Sequence, residues 1–375
     1  MATQTQGSGG AVSAVLMAGL AGLVVSLGIA FFNLLSGGHS AFNTGSDGVS
    51  WGLPVVNYVF FALTSTGLTL VASVAMTFGN KAWYPIAKRC VWLSLVTLVA
   101  GFASLALELG HPFRMLWAIP LNAQLVSPLN WMGIFYAVFL VLGILKFLRI
   151  HNGDWNSSTS KQIGLAALVT ELLAGGMLGM AFGAMAMRPM WYGNLVPLYF
   201  ILTAACTGAA FAVLVTCLSY DSEETMPAQV RTLMRGPLPT AFAGLLGITI
   251  LVIGYRTVIG LWSNADGLQV WDAIVASPWY WIEAALLIGA FFLLLQRKAL
   301  ALASVMVIGG FFIDRYDFVI GGQLAPLFKG SWVPDLIAYT PSTTEWMLTL
   351  LAFSIAFLGW ALGEKLLKLD AAPQD

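Results

Sequence analysis

The sequence predicts an all-α fold: a polytopic membrane bundle of about ten transmembrane helices. Three observations carry that prediction. The chain of 375 residues is 59% hydrophobic and only 9% charged, against about 25% charged residues in soluble domains. Its apolar residues fall in continuous runs long enough to cross a hydrocarbon core as helices, without the alternation of a membrane barrel. Its basic residues also fall unevenly on the two sides of those runs, twelve of the 17 on the side that would hold both termini.

The runs lie at roughly 12–35, 52–79, 86–110, 128–149, 162–187, 192–219, 237–262, 273–296, 298–322 and 344–367. The first follows a polar MATQTQGSGG without Lys or Arg and exceeds a signal-peptide core, so it reads as a retained span. The basic bias places both termini in the cytoplasm, and adding or removing one span would scramble it. Spans two and six share a pattern, LPVVNYVFFALTSTG at 53–67 and LVPLYFILTAACTG at 195–208. Spans four and eight both open with Ser-Pro and aromatics, SPLNW at 127–131 and SPWYW at 277–281. Serine caps a helix and proline suits its first turn. Two parallel four-helix units follow. The expected divisions are 1–51 for the tail, first span and loop, 52–190 and 191–325 for the two units, and 326–375 for the last loop, span and tail. Long loops and many tryptophans gather on the expected outer face. An aromatic belt accounts for most of them, and their crowding also suits a docking surface.

Composition excludes several functions. Zero net charge gives no reason to expect a nucleic-acid partner. Cys90, Cys206 and Cys217 lie in apolar runs with no Cys-x-x-Cys spacing, so no iron–sulfur cluster or zinc site of its own is expected. The histidines are His39, His111 and His151, none well inside a span, which argues against a bis-histidine haem. No phosphate-binding loop is present. If the chain does redox work, a partner must supply the electron carriers.

Ionisable groups inside spans are costly, and they usually face a bundle interior or water. Glu171 in span five (LVTELLAGG) and Glu283 in span eight (WIEAALLIG) read as mid-membrane acids. Either they tie helices together as hydrogen-bonded structural residues, or they relay protons. A second set sits at the outer ends. Glu108 and His111 are three apart and share a face if the turn stays helical. Arg114 lies just beyond. Asn57, Tyr136, Arg188, Arg256, Asp314 and Asp317 lie near the same depth. Snorkelling and pairing, for example of Asp314 with Arg256, explain any one of them. Together they suit a quinone head group, whose two carbonyl oxygens need hydrogen bonds and whose redox change moves protons. His111 with Glu108 is the candidate catalytic, proton-handling pair. Arg114, Asn57, Tyr136, Arg256 and Asp314 are candidate quinone contacts.

The stretch LALELGHPFRMLWAIPLNAQLVSPLNWMGIFY resembles the signature of the NrfD/PsrC family of integral membrane subunits, typically Asp-Leu-Gly-Arg-Pro-x-Arg followed by a Ser-Pro-x-x-Trp helix start. Glu108 stands for the acid and His111 for the first basic residue, while Pro112 and Arg114 match. GAMAMRPMWYGNLVPLYFILTAACTGAA is similar to the family's second unit. IDRYDFVIGGQ is similar to the end of that unit in the ten-span branch, which includes HybB-type and DsrP-type subunits. The resemblance covers about residues 50–325. It implies a subunit without a haem or iron–sulfur cluster, taking menaquinone or ubiquinone as bound substrate. It implies electron exchange between the quinone pool and a ferredoxin-like iron–sulfur subunit docked on the outer face. That partner would link to a catalytic subunit: a molybdopterin enzyme, a hydrogenase or a cytochrome module. It implies the prokaryotic cytoplasmic membrane, with coupled proton translocation if Glu171 and Glu283 conduct. Two rival functions fit parts of the sequence. A secondary transporter also has repeats and midplane acids, and a purely structural anchor needs polar helix ends only for assembly.

Overall fold

The computed structural model describes residues 10–45, 48–109, 113–114, 117, 121–122, 124–263, 270–326 and 336–373. The long helices among them are α1 (Gly10–Gly37), α2 (Leu53–Met76), α3 (Tyr84–Glu108), α4 (Pro128–His151), α5 (Ser158–Gly183), α6 (Val196–Leu218), α7 (Pro237–Ser263), α8 (Pro278–Leu295), α9 (Leu300–Leu324) and α10 (Thr343–Leu366). Short helices at Ala228–Arg235 and Val270–Ala276 precede α7 and α8. Nine of the long helices are long and apolar enough to cross a membrane. The remaining one, α9, has 25 residues but carries Asp314, Arg315 and Asp317 in its second half. The protein is therefore a multi-span, all-α membrane bundle.

Proline in the first turn starts α2, α3, α4, α6 and α8, where its missing N–H costs nothing. Ser157 and Ser277 cap α5 and α8, and Ser342 with Glu345 forms a capping box on α10. Successive long helices run in opposite directions. The starts of the even-numbered helices mark the upper end of the bundle, and their C-termini mark the lower end.

Burial sorts the helices into centre and rim. In the most apolar stretch of α2, 89% of residues are buried, against 17% for α1. Helix α2 packs on α3, α5 and α6; α6 packs on α5, α7 and α9; α8 bridges α7 and α9; α4 packs on α5; and α1 lies on α10, which leans on α3 and α2. The centre is the crossing of α2 and α6 at Gly67 and Gly208. A Cβ on Gly67 would stand 1.7 Å from the Ala204 carbonyl oxygen, and one on Gly208 would stand 2.0 Å from the Gly67 carbonyl carbon. These two glycines end the matched sequence patterns of spans two and six, so matched positions of the two patterns touch each other. The Ser-Pro starts also share a local feature. Trp131 Nε1 donates to the Leu125 carbonyl at 2.8 Å, and Trp281 Nε1 donates to the Val275 carbonyl at 2.9 Å.

At the lower end one ion pair clamps three helices. Arg89 of α3 donates to both carboxylate oxygens of Glu364 in α10. Ser219, just past α6, and Trp360 of α10 also donate to Glu364, at 3.1 and 3.2 Å. The partners are 1% and 11% exposed, so the pair stands out of water.

Two boundaries differ from expectation in ways that matter for function. Helix α3 stops at Glu108, with Leu109 extended at ψ 128°. The helical face that Glu108 and His111 were expected to share therefore ends before His111. Helix α8 starts at Pro278 instead of near residue 273, because Val270–Ala276 forms its own short helix. Glu283 consequently lies in the second turn from the upper end and not at mid-membrane, whereas Glu171 keeps its place at the middle of α5.

Candidate functional site

The polar residues of the spans gather into two groups instead of one, separated by the α2–α6 crossing. The first lies among α2, α3, α4 and α5. Asn57, one turn into α2, donates through Nδ2 to Ser104 Oγ of α3 at 3.0 Å, while its buried Oδ1 has no hydrogen-bond partner. Asn130, in the first turn of α4, is likewise buried with an unpartnered Nδ2. Tyr58 reaches Met132 Sδ at 3.3 Å, and its ring packs against Phe102, which in turn meets Tyr136 edge-on with ring centroids 6.0 Å apart. Tyr136 is fully buried and its hydroxyl faces Thr66. One turn deeper, Glu171 Oε1 accepts from Ser65 at 2.7 Å and Thr66 at 3.3 Å, leaving Oε2 unpartnered. Unmet amide and carboxylate atoms in a water-poor interior are costly, so they mark places where a ligand or water completes the bonding.

Glu108 is the upper neighbour of this group. Its carboxylate accepts from the Gly52 backbone N–H and approaches Glu345. Beside it, Tyr339 Oη accepts from the Leu53 N–H at 2.9 Å and donates to Glu345 Oε1 at 2.6 Å. Burial first, then the bonded Glu345, raises the Tyr339 phenol above its ordinary range, which keeps it a donor. Glu108, Tyr339 and Glu345 thus close the N-terminus of α2, where free N–H groups and the helix dipole favour anions. His111 and Pro112 lie outside the described residues. Arg114 is exposed beyond the helix end.

The second group belongs to α6, α7, α8 and α9. Asp314 does not pair with Arg256 as expected. One of its oxygens accepts from Tyr199, and the other lies 3.1 Å from Arg315 Nη1. Arg315 also donates to Thr203. Arg256 instead sets its guanidinium over the faces of Tyr199 and Phe318, at 4.3 and 5.1 Å. The neighbouring Arg315 already serves Asp314, and the aromatic faces offer Arg256 a cation–π seat. Arg256, Glu283, Asp314 and Asp317 line a narrow cleft of about 30 Å³ with Trp271 and Tyr280. Arg188 sits apart from both groups and donates to the carbonyls of Gln323 and Ala325 at the C-terminal end of α9.

Several residues of these groups were missed from sequence alone. Asn130 lies inside the Ser-Pro-x-Asn-Trp start, and a lone Asn in an apolar first turn was the available signal. Glu345 was signalled by its capping box. Tyr199 was visible as the match to Tyr58 in the paired patterns of spans two and six. Lys146, outside both groups near the lower end of α4, is 2% exposed and donates to Ser160 and Trp155.

Fold and polar groups together define a class: a membrane helix bundle with uncompensated polar atoms buried near one end and a buried acid at its centre. Residues 42–326 match the family described as Polysulphide reductase, NrfD, so the chain belongs to that family. It is similar to the C subunit of selenate reductase from Mesobacillus selenatarsenatis, 24% identical over 79% of this chain and 80% of that protein. It is also similar to the Hdr-like menaquinol oxidoreductase integral membrane subunit of Archaeoglobus fulgidus, 22% identical over 86% of each chain. A third relative is the putative C membrane subunit of dimethyl sulfoxide reductase from Halobacterium salinarum, 23% identical over 94% of this chain and 90% of that protein.

Proposed function

We propose that this chain is the quinone-reactive membrane subunit of a respiratory oxidoreductase, passing electrons between the membrane quinone pool and an iron–sulfur subunit docked on the tryptophan-rich upper face. The observation that carries this reading is the pair of buried amides, Asn57 and Asn130, each with an unmet hydrogen bond beside the aromatic walls of Tyr58, Phe102 and Tyr136. A quinol presents two hydroxyls to such a site and a quinone two carbonyl oxygens. Asn130 Nδ2 and the Tyr136 hydroxyl would donate to the ring oxygens, and Asn57 Oδ1 would accept from a quinol hydroxyl. The Archaeoglobus relative, described by its menaquinol chemistry, supports the same substrate class.

In this reading Glu108 and His111 handle the quinone's protons at the upper mouth, with Arg114 beside them. Arg256 and Asp314 would stabilise charge from the second group. Glu171 and Glu283 would carry protons onward, and turnover would be electrogenic if that route reaches the lower side. The iron–sulfur partner would lead to a catalytic subunit: a molybdopterin enzyme, a hydrogenase or a cytochrome module. The membrane would be the prokaryotic cytoplasmic membrane, with the lower end and both termini in the cytoplasm. The divisions at 52–190 and 191–325 would be the two repeat units.

Quinol oxidation by the assembled complex tests the site. Asn130→Leu and Tyr136→Phe each remove one hydrogen bond of about 1 kcal/mol, so each should raise KM for quinol roughly fivefold. Wild-type KM in both variants, with the complex intact, would remove this site from the reaction.

A further inference from the structure

Between the lower halves of α7 and α8 runs a groove of about 470 Å³ that neither polar group uses. Thr240, Gly244, Gly247 and Leu251 of α7 form one wall, Phe291 and Leu294 of α8 the other, and Arg297 in the turn before α9 lines its lower end. At Gly244 a Cβ would meet nothing within 4 Å, so the groove stays open there. Leu251 and Leu295 beside it are 74% and 56% exposed, so it opens on the outer, lipid-facing surface. Its walls are apolar except at the lower end. There Arg297 Nη1 donates to the Arg235 carbonyl at 3.1 Å and Nη2 to Thr240 Oγ1 at 3.2 Å. Both acceptors are neutral. They hold the guanidinium at the end of the groove, and its remaining N–H groups have no partner among the described residues. Glu223, on the loop before the short helix Ala228–Arg235, is taken by Arg235. Lys298, the next residue after Arg297, is exposed.

Size and charge decide what fits. From Thr240 to Leu251 helix α7 rises about 16 Å, half of a hydrocarbon core of about 30 Å. Spread over that length, 470 Å³ leaves a section of about 30 Å². A helix with its side chains is about 10 Å across and needs about 80 Å², so a partner's span does not enter. A single extended acyl chain does, and the depth matches one leaflet. We propose that this groove binds one anionic phospholipid of the lower leaflet, with an acyl chain between α7 and α8 and its phosphate on Arg297 beside Lys298. The phosphodiester oxygens accept from the free guanidinium N–H groups, a strong, charge-assisted contact. Basic residues at the end of a groove between spans suit anionic head groups. A quinone tail would fill the groove but bring no charge to Arg297. In a zwitterionic lipid the head group's own ammonium competes with the guanidinium for the phosphate.

Native mass spectrometry of the purified protein in detergent tests this, with dioleoyl phosphatidylglycerol or dioleoyl phosphatidylcholine titrated in. The wild type should bind one phosphatidylglycerol at least tenfold more tightly than phosphatidylcholine. Arg297→Gln with Lys298→Gln should remove that preference. Gly244→Trp fills the groove and should abolish the tight site. If that variant does not fold, Gly244→Leu replaces it, with at least a fivefold loss expected. Gly254→Trp is the control: a Cβ there also meets nothing within 4 Å, but it lies above the groove, so the tight site should remain. Equal affinity for the two lipids in the wild type overturns the proposal. So does a tight site that survives groove filling or charge removal, or one that is lost equally in Gly254→Trp. A protein dimer that disappears in Gly244→Trp, with no lipid bound in the wild type, would overturn it in favour of a second copy of this chain.

Discussion

Replacing Gly67 by alanine should break the protein at its centre, and the geometry sets the scale. The added Cβ would lie 1.7 Å from Ala204 O, 2.6 Å from Ala204 C and 2.8 Å from Gly208 N. Ordinary contact begins near about 3.5 Å, so the helices must part by well over an ångström. All three atoms are backbone, so no rotamer change relieves the clash. Overpacking a tight core costs about 1–3 kcal/mol, and a gap of about 1 Å forfeits up to half of each contact it opens. The α2–α6 contact runs along the most buried helices, so the loss should reach or exceed the upper part of that range. Gly244→Ala on α7 is the matched control. Its Cβ meets nothing within 4 Å, and alanine gains about 0.5–1 kcal/mol over glycine in a helix interior. Thermal unfolding of the purified protein in detergent reads both. Gly67→Ala should melt well below wild type and Gly244→Ala at or slightly above it. A Gly67→Ala protein with the wild-type melting temperature would refute the close crossing.

Glu108→Gln separates two roles of one carboxylate. The amide oxygen of Gln still accepts from the Gly52 N–H, so the cap on α2 and the melting temperature should hold, whereas a proton-handling acid would be lost and kcat should fall by about 100-fold or more. Full turnover in Glu108→Gln would leave Glu108 a helix cap only. At the lower end, Glu364→Leu strands the buried Arg89 and should cost about 3–5 kcal/mol, while Arg89→Met with Glu364→Leu should recover most of it. A double variant no more stable than Glu364→Leu would contradict this account.

The run of ten helices was legible because lipid demands long apolar stretches, and the stretches are there. Their ends were less so. The continuity of residues 273–296 concealed a break before Pro278, although Ser277 and Pro278 announce a helix start. That break moves Glu283 from mid-membrane to the upper end. The two short sequence matches have local counterparts: Gly67 touches Gly208, and Trp131 and Trp281 make the same backward hydrogen bond. Side-chain partners were not legible. Lys146 reads from sequence only as one of the basic residues on the side holding the termini, and the fold of residues 152–160 beneath it turns it inward. The partner of Asp314 was misjudged for a similar reason. Which of two arginines reaches it depends on where Tyr199 and Phe318 stand.

The two helix groups show how one sequence pattern serves two chemistries. Tyr58 and Tyr199 occupy matched positions on α2 and α6, yet Tyr58 meets a thioether and Tyr199 a carboxylate. Around Tyr58 the buried atoms with unmet bonds are the amides of Asn57 and Asn130, the Tyr136 hydroxyl and, deeper, Glu171 Oε2. Around Tyr199 they are Glu283, Asp314 and Asp317 opposed by Arg256 and Arg315, and Asp314 Oδ2, Arg315 Nη1 and Asp317 Oδ2 also lack a hydrogen-bond partner. Charges held that way are expensive to separate or to expose, so the second group presents a charged field to its narrow cleft. The amide-lined site around Tyr58 differs in charge: it gains by admitting a neutral molecule that supplies the missing partners. The first group also continues downward to Glu171 at the middle of α5. The amides and the central acid therefore lie on one side of the Gly67–Gly208 crossing, and the charge cluster lies on the other.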